Sequence, residues 1–234
     1  MRGHSSSNIG PVRHRVAFRA GVELALAVAI IAAGLRLQSV VFTLGSAPWL
    51  TLAGLVLIRW RGPGWRAVGL RKPSSVPRAI AVGVLVGAGY QLVGTYVAEP
   101  VVARLTTGAL PDVSQFRSLV GNEAQLVFWL VISWTLAAVV EELAYRGWIL
   151  TRCAEVGQGT RGAWIAGLVV SSALFGIVHA YQGVSGMITT GLTGVVFGAT
   201  YLASGRNLWT AIVAHGTLDT AGFLMMYAGV YPGL

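Results

Sequence analysis

Residues 125–150 read QLVFWLVISWTLAAVVEELAYRGWIL, an apolar run that carries Glu141, Glu142 and Arg146 within it. As a helix, this stretch would be about 39 Å long at 1.5 Å per residue, enough to cross the roughly 30 Å hydrocarbon core of a bilayer. A charged side chain at the centre of such a core costs about 2.5–3.5 kcal/mol on insertion scales. Ionisable residues at that depth therefore face a cavity, a partner or a substrate. The run is expected to be a transmembrane helix whose charges serve the inside of a bundle.

The rest of the chain agrees. Of 234 residues, 55% are apolar and 11% charged, and the mean hydropathy is +0.68. A soluble domain needs about 25% charged residues to wet its surface. The expected fold is all-α, a polytopic transmembrane helix bundle of about seven spans. They lie near residues 17–36, 40–59, 79–98, 125–150, 162–180, 186–203 and 208–228. A tight turn around Arg36 to Ser39 joins the first two, and Pro63, Pro73 and Pro77 mark 60–78 as an irregular loop. A second loop, 99–122, carries Pro100, Pro111 and Asp112. With no internal repeat, residues 1–234 read as a single integral membrane domain.

The net charge of +9 comes almost wholly from arginine, Lys72 being the only lysine. The arginines gather at the ends of the apolar runs, which is topology control rather than nucleic-acid binding. The N-terminal tail holds Arg2, Arg13, Arg15 and Arg19. Arg59 to Arg78, then Arg152 and Arg161, then Arg206 occupy alternate connections, whereas the intervening ones hold few. The positive-inside rule puts the N-terminus in the cytoplasm, as a retained signal-anchor, and the C-terminus outside. Arginine-heavy usage points to a GC-rich bacterial source, so the expected location is the bacterial cytoplasmic membrane, multi-pass. Cys153 is the only cysteine, which excludes an intrachain disulfide and a thiolate metal cluster. Gly83-xxx-Gly87 and Gly194-xxx-Gly198 let helices approach closely, within a monomer or across a weak homodimer.

Helical spacing divides the charges of the fourth span. Glu142 and Arg146 are i and i+4 and can pair, while Glu141 points about 100° away with Tyr145 one turn beyond it. His179 with Phe175 one turn earlier, and His215 with Asp219 one turn later, bring titratable groups onto two further spans. A structural charge cluster would explain the fourth span alone. Three spans with such groups at depth imply a polar cavity between the fourth, fifth and seventh. There, glutamate and histidine can activate a water for attack on a carbonyl, and a second histidine with Asp219 can stabilise the oxyanion. Glu141, His179 and His215 could instead hold zinc with an open position for water, although no HExxH pair is present.

Glu141-Glu142-xxx-Arg146, Phe175-xxx-His179 and His215-xxx-Asp219 resemble, in order and spacing, the three motifs of the CPBP (Abi) intramembrane proteases. These are bacterial relatives of the type II CAAX prenyl endopeptidases. The resemblance covers about residues 125–222, the expected catalytic core. It implies a CAAX-protease-like membrane fold, of eight helices in the family, and hydrolysis of peptide bonds within the bilayer. Carried over by position, Glu141 and His179 would activate water. His215 and Asp219 would bind the oxyanion, and Glu142, Arg146, Phe175 and Tyr145 would support the site. Asp219 departs from the family, whose last motif position is often asparagine; an aspartate donates a hydrogen bond only when protonated. The expectation is a metal-independent glutamic endopeptidase acting on a peptide or membrane-protein tail. A zinc-dependent version, or a non-catalytic protein that binds peptides or confers bacteriocin immunity, is the alternative. A proton-coupled transporter is a further one, though the polar residues occupy only the second half of the chain.

Overall fold

The computed structural model describes residues 9–37, 47–60 and 64–234. Among them the structure is helical, with no strand. The long helical stretches are α1 (Ile9–Leu37), α2 (Ala47–Trp60), α3 (Val76–Leu105), α4 (Glu123–Val156), α5 (Arg161–Ile177), α6 (Gly183–Ala203) and α7 (Leu208–Tyr227). They correspond in order to the seven expected spans. The turn at Arg36 to Ser39 and the start of the second span lie largely outside the described residues, as do Arg2, Arg61 and Pro63. Helices α1, α3, α4 and α6 are long and apolar enough to cross a membrane. Helices α2 and α5 are apolar but shorter. Helix α7 has 20 residues but carries His215 and Asp219, and it packs inside the bundle.

Local chemistry sets the boundaries. Ser75 caps α3 by accepting a hydrogen bond from the Arg78 N–H, with proline in the first turn. Asn122, Thr160 and Asn207 cap α4, α5 and α7 through their side-chain oxygens. The outer faces of the helices expose Val22, Leu52, Leu85, Leu92, Val127, Val131 and Val169, the pattern of a lipid-facing surface. This is a membrane protein.

Two long parts of α4, Ser133–Glu141 and Leu143–Leu150, are wound as π-helix rather than the α-helix assumed from spacing. π-Helical winding is rare and concentrates at functional sites. It leaves Glu142 and Arg146 on one face, and it gathers Leu143 to Leu150 into a continuously buried stretch. Helix α1 is tied to α4 by a buried polar contact. Trp148 Nε1 donates to Glu23 Oε2 at 3.0 Å, and Arg152 lies 3.5 Å from the same carboxylate.

The connections sort into two ends. At one end, the Leu208 N–H donates to the Gly69 carbonyl, Asn207 to Arg71 and Tyr201 to Val68. At the other, Asp112 N–H donates to Gln182, Gly121 N–H to Tyr227, and Ser185 to the Ala109 carbonyl. Alternate loops thus meet, as a bundle with successive helices reversed requires.

Both glycine motifs are spent inside the molecule. Gly83 and Gly87 lie against Val213, Ala214 and Leu218 of α7, and Gly194 and Gly198 against Ser172 and Leu168 of α5. A β-carbon on Gly87 would run into the Ala214 carbonyl oxygen and come within 2.9 Å of Thr217. Gly87→Ala is therefore expected to push α3 off α7 and to cost about 1–3 kcal/mol, read as a lower melting temperature in detergent.

Candidate active site

The π-wound part of α4 brings Glu141 and Glu142 to the centre of the bundle. Glu142 and Arg146 are both fully buried, with Arg146 Nη1 donating to Glu142 Oε1 at 2.7 Å. The other terminal nitrogen of Arg146 donates to the Gly194 carbonyl at 3.0 Å. Its guanidinium lies 4.6 Å from the Phe175 ring centre and 5.4 Å from that of Phe197. One cation thereby locks α4 to α6 between two aromatic faces.

His215 of α7 completes this lock. Its Nδ1 donates to the same Glu142 Oε1 at 3.0 Å, and its ring stacks on Phe197 at 4.7 Å. The remaining nitrogen, Nε2, is turned to the other two carboxylates. It lies 3.6 Å from Asp219 Oδ2 and 3.9 Å from Glu141 Oε2. Asp219 is itself oriented, since Ser133 Oγ of α4 donates to its Oδ2 at 2.8 Å. In this geometry that oxygen is an acceptor.

His179 is not on a helix. The expected span to residue 180 ends at Ile177, and His179 lies in the turn before a short 3₁₀ segment, Ala180–Gln182. The His179 Nδ1 bonds to the Phe175 carbonyl at 2.7 Å, and a carbonyl only accepts, so Nδ1 carries the proton and Nε2 is left as an acceptor. The Phe175 ring sits 4.9 Å from His179, 6.1 Å from His215 and 5.0 Å from Tyr145. Ser171 of α5 donates to the Tyr145 backbone carbonyl at 2.7 Å, fixing that contact.

Glu141, Tyr145, Phe175, His179, His215 and Asp219 line one cavity of about 510 Å³, while Glu142 and Arg146 stand behind its wall. The cavity is broader than the one expected between the fourth, fifth and seventh spans. Helix α3 contributes Gln91, Thr95 and Glu99, and α6 contributes Thr189, Thr193 and Phe197. Sequence reasoning missed Ser133, Phe197 and these α3 residues. Among the described residues no three His, Cys, Asp or Glu side chains are grouped to hold a metal ion, and Glu141, His179 and His215 do not form such a set.

Residues 123–221 match the family model described as type II CAAX prenyl endopeptidase Rce1-like. The matched segment is similar to that family. It begins at the first residue of α4 and ends two residues beyond Asp219, so it holds all three motifs and every polar contact of the lock. No curated protein and no solved structure matches the chain. The Rce1-like segment leaves α3 outside it, although α3 forms one wall of the cavity.

Proposed function

We propose that this protein is a metal-independent intramembrane endopeptidase of the CAAX-protease type. The observation that carries the reading is the convergence of Glu141, His179, His215 and Asp219, all from the Rce1-like segment, on one cavity. In the mechanism that fits, a water sits between the Glu141 carboxylate and the unprotonated Nε2 of His179. Its proton passes to Glu141 as its oxygen attacks the scissile carbonyl. His215, held by Glu142 through Nδ1, donates from Nε2 to the oxyanion, and Asp219 orients that donor. The C–N bond then breaks, and the leaving nitrogen takes the proton from Glu141. The apolar wall of Phe175, Phe197 and Tyr145 excludes bulk water and strengthens each of these interactions.

The arginine-rich connections lie on the side of the bundle that we assign to the cytoplasm, with the 99–122 loop and the C-terminus outside, in a single membrane domain. The substrate class is a peptide or a membrane-protein tail.

Membrane proteomics of cells carrying the wild type or Glu141→Ala tests the reading and names the substrate together. Uncleaved precursors are expected to accumulate in the variant; identical peptide termini in both strains would count against proteolysis. Removal of metals separates the two protease chemistries. The purified protein is expected to keep its activity in EDTA. Loss of cleavage on chelation, restored by zinc alone, would replace the glutamate-base mechanism with a metal one.

A further inference from the structure

The cavity holds a further carboxylate that the chemistry above does not use. Glu99 of α3 is only 9% exposed, and it lines the same cavity as Glu141 and Asp219. Tyr231, beyond the end of α7, donates to its Oε1 at 2.8 Å. Its Oε2 is buried and has no hydrogen-bond partner. Among the described residues no lysine, arginine or histidine stands within ion-pair distance of it. Two turns earlier on the same helix, Gln91 Nε2 donates to Thr95 Oγ1 at 2.8 Å. A carboxylate withdrawn from water without a cation is strongly unfavourable, whereas a cation brought by a ligand offsets that cost.

The helix register gives its distance from the chemistry. Helices α3 and α7 run parallel: Gly83 meets Thr210 and Val213, Gly87 meets Ala214 and Leu218, and Gln91 meets Gly222. Gln91 is therefore about one turn beyond Asp219, and Glu99 follows about 12 Å further along α3. The total is roughly 16 Å, and an extended peptide advances about 3.3 Å per residue, so some five residues span the gap.

We propose that Glu99 is a substrate-binding residue, its unpartnered Oε2 taking an ammonium or guanidinium group about five residues from the bond that is cleaved. The inference rests on the proteolytic reading for its register, and on the Glu99 geometry alone for its charge preference. The cation is either a lysine or arginine side chain or the free amino terminus of the peptide.

The test uses the full chain in detergent, with acetylated and amidated alanine–leucine decapeptides that carry lysine or norleucine at each position in turn. A further pair differs only in a free or acetylated amino terminus. Binding is measured by thermophoresis on labelled Glu141→Gln protein, with mass spectrometry verifying that the peptides stay intact. Lysine is expected to bind about tenfold or more tightly than norleucine at one position, and Glu99→Gln is expected to bring that ratio to about one. If the amino terminus is the source, the free-amine peptide carries the difference and loses it with the same substitution. A melting curve shows that the Glu99→Gln protein is folded. No preference at any position in protein retaining Glu99 would overturn the proposal, as would a preference that survives Glu99→Gln. Cleavage of the same peptides by protein with Glu141 intact is followed separately. Its absence would count against proteolysis while the binding ratio still decides on Glu99.

Discussion

Glu141→Gln is expected to lower the rate of peptide hydrolysis by about 10²–10⁴-fold while leaving the protein folded. The substitution keeps the size of the side chain and removes its ability to take a proton from water. It spares the structural lock, because Glu141 Oε2 approaches His215 Nε2 only to 3.9 Å, whereas Glu142 Oε1 makes the short bonds to Arg146 and His215. Substrate affinity should change little, so the loss is expected in kcat rather than KM. The measurement is turnover of a substrate found by proteomics, with a melting curve as the control. Full activity in Glu141→Gln would remove Glu141 as the base. A phenotype that needs the protein but survives Glu141→Gln would favour the non-catalytic peptide-binding reading. His179 offers an independent check, since its Nδ1 is committed to the Phe175 carbonyl and only Nε2 faces the work.

The local patterns are legible in the sequence, and the three-dimensional assembly is legible only in part. The i, i+4 spacing of Glu142 and Arg146 foretells their pairing, because residues one turn apart on a helix share a face. Motif order foretells the family, and hydropathy foretells a helical bundle. What periodicity does not encode is where a helix stops early. The apolar run continues into Val178, yet the chain turns there, and with the His179 N–H bonded to the Gly176 carbonyl, the Phe175 carbonyl is left to the His179 ring. Ser133 is 86 residues from Asp219, and a serine in an apolar helix is ordinary until the partner helix is in place. Glu99 carries a weak signal, being an acidic residue at the edge of an apolar run. Because Pro100 follows, the sequence there reads as the start of a loop. Proline is tolerated, since α3 changes from π- to α-winding at Glu99 and Pro100 falls in the first turn of the new segment.

Arg146→Met is expected to produce the largest loss of stability of any single substitution in the site, about 3–5 kcal/mol, read as a lower melting temperature in detergent. The methionine fills space between Phe175 and Phe197, so the cost is mainly electrical. Both partners of the pair have no exposed surface, and removing the guanidinium leaves the buried Glu142 carboxylate with only His215, which Glu141 and Asp219 also face, to offset its charge. Two further contacts fail with it: the bond to the Gly194 carbonyl that ties α4 to α6, and the stacking on both rings. His215 Nδ1 would then be the only donor to Glu142 in the lock, and the ring would shift from the position that aims Nε2 at Glu141 and Asp219. Activity should therefore fall along with stability. The double variant Glu142→Gln, Arg146→Met separates these effects. Neutralising the stranded carboxylate is expected to restore most of the stability, because a buried pair is costly to break but often cheap to replace as a whole. Activity should not return, since a neutral amide in place of the Glu142 carboxylate offers His215 no charge to hold it. A double variant as unstable as Arg146→Met alone would mean that packing and the Gly194 contact, rather than the unpaired charge, hold this part of the bundle together.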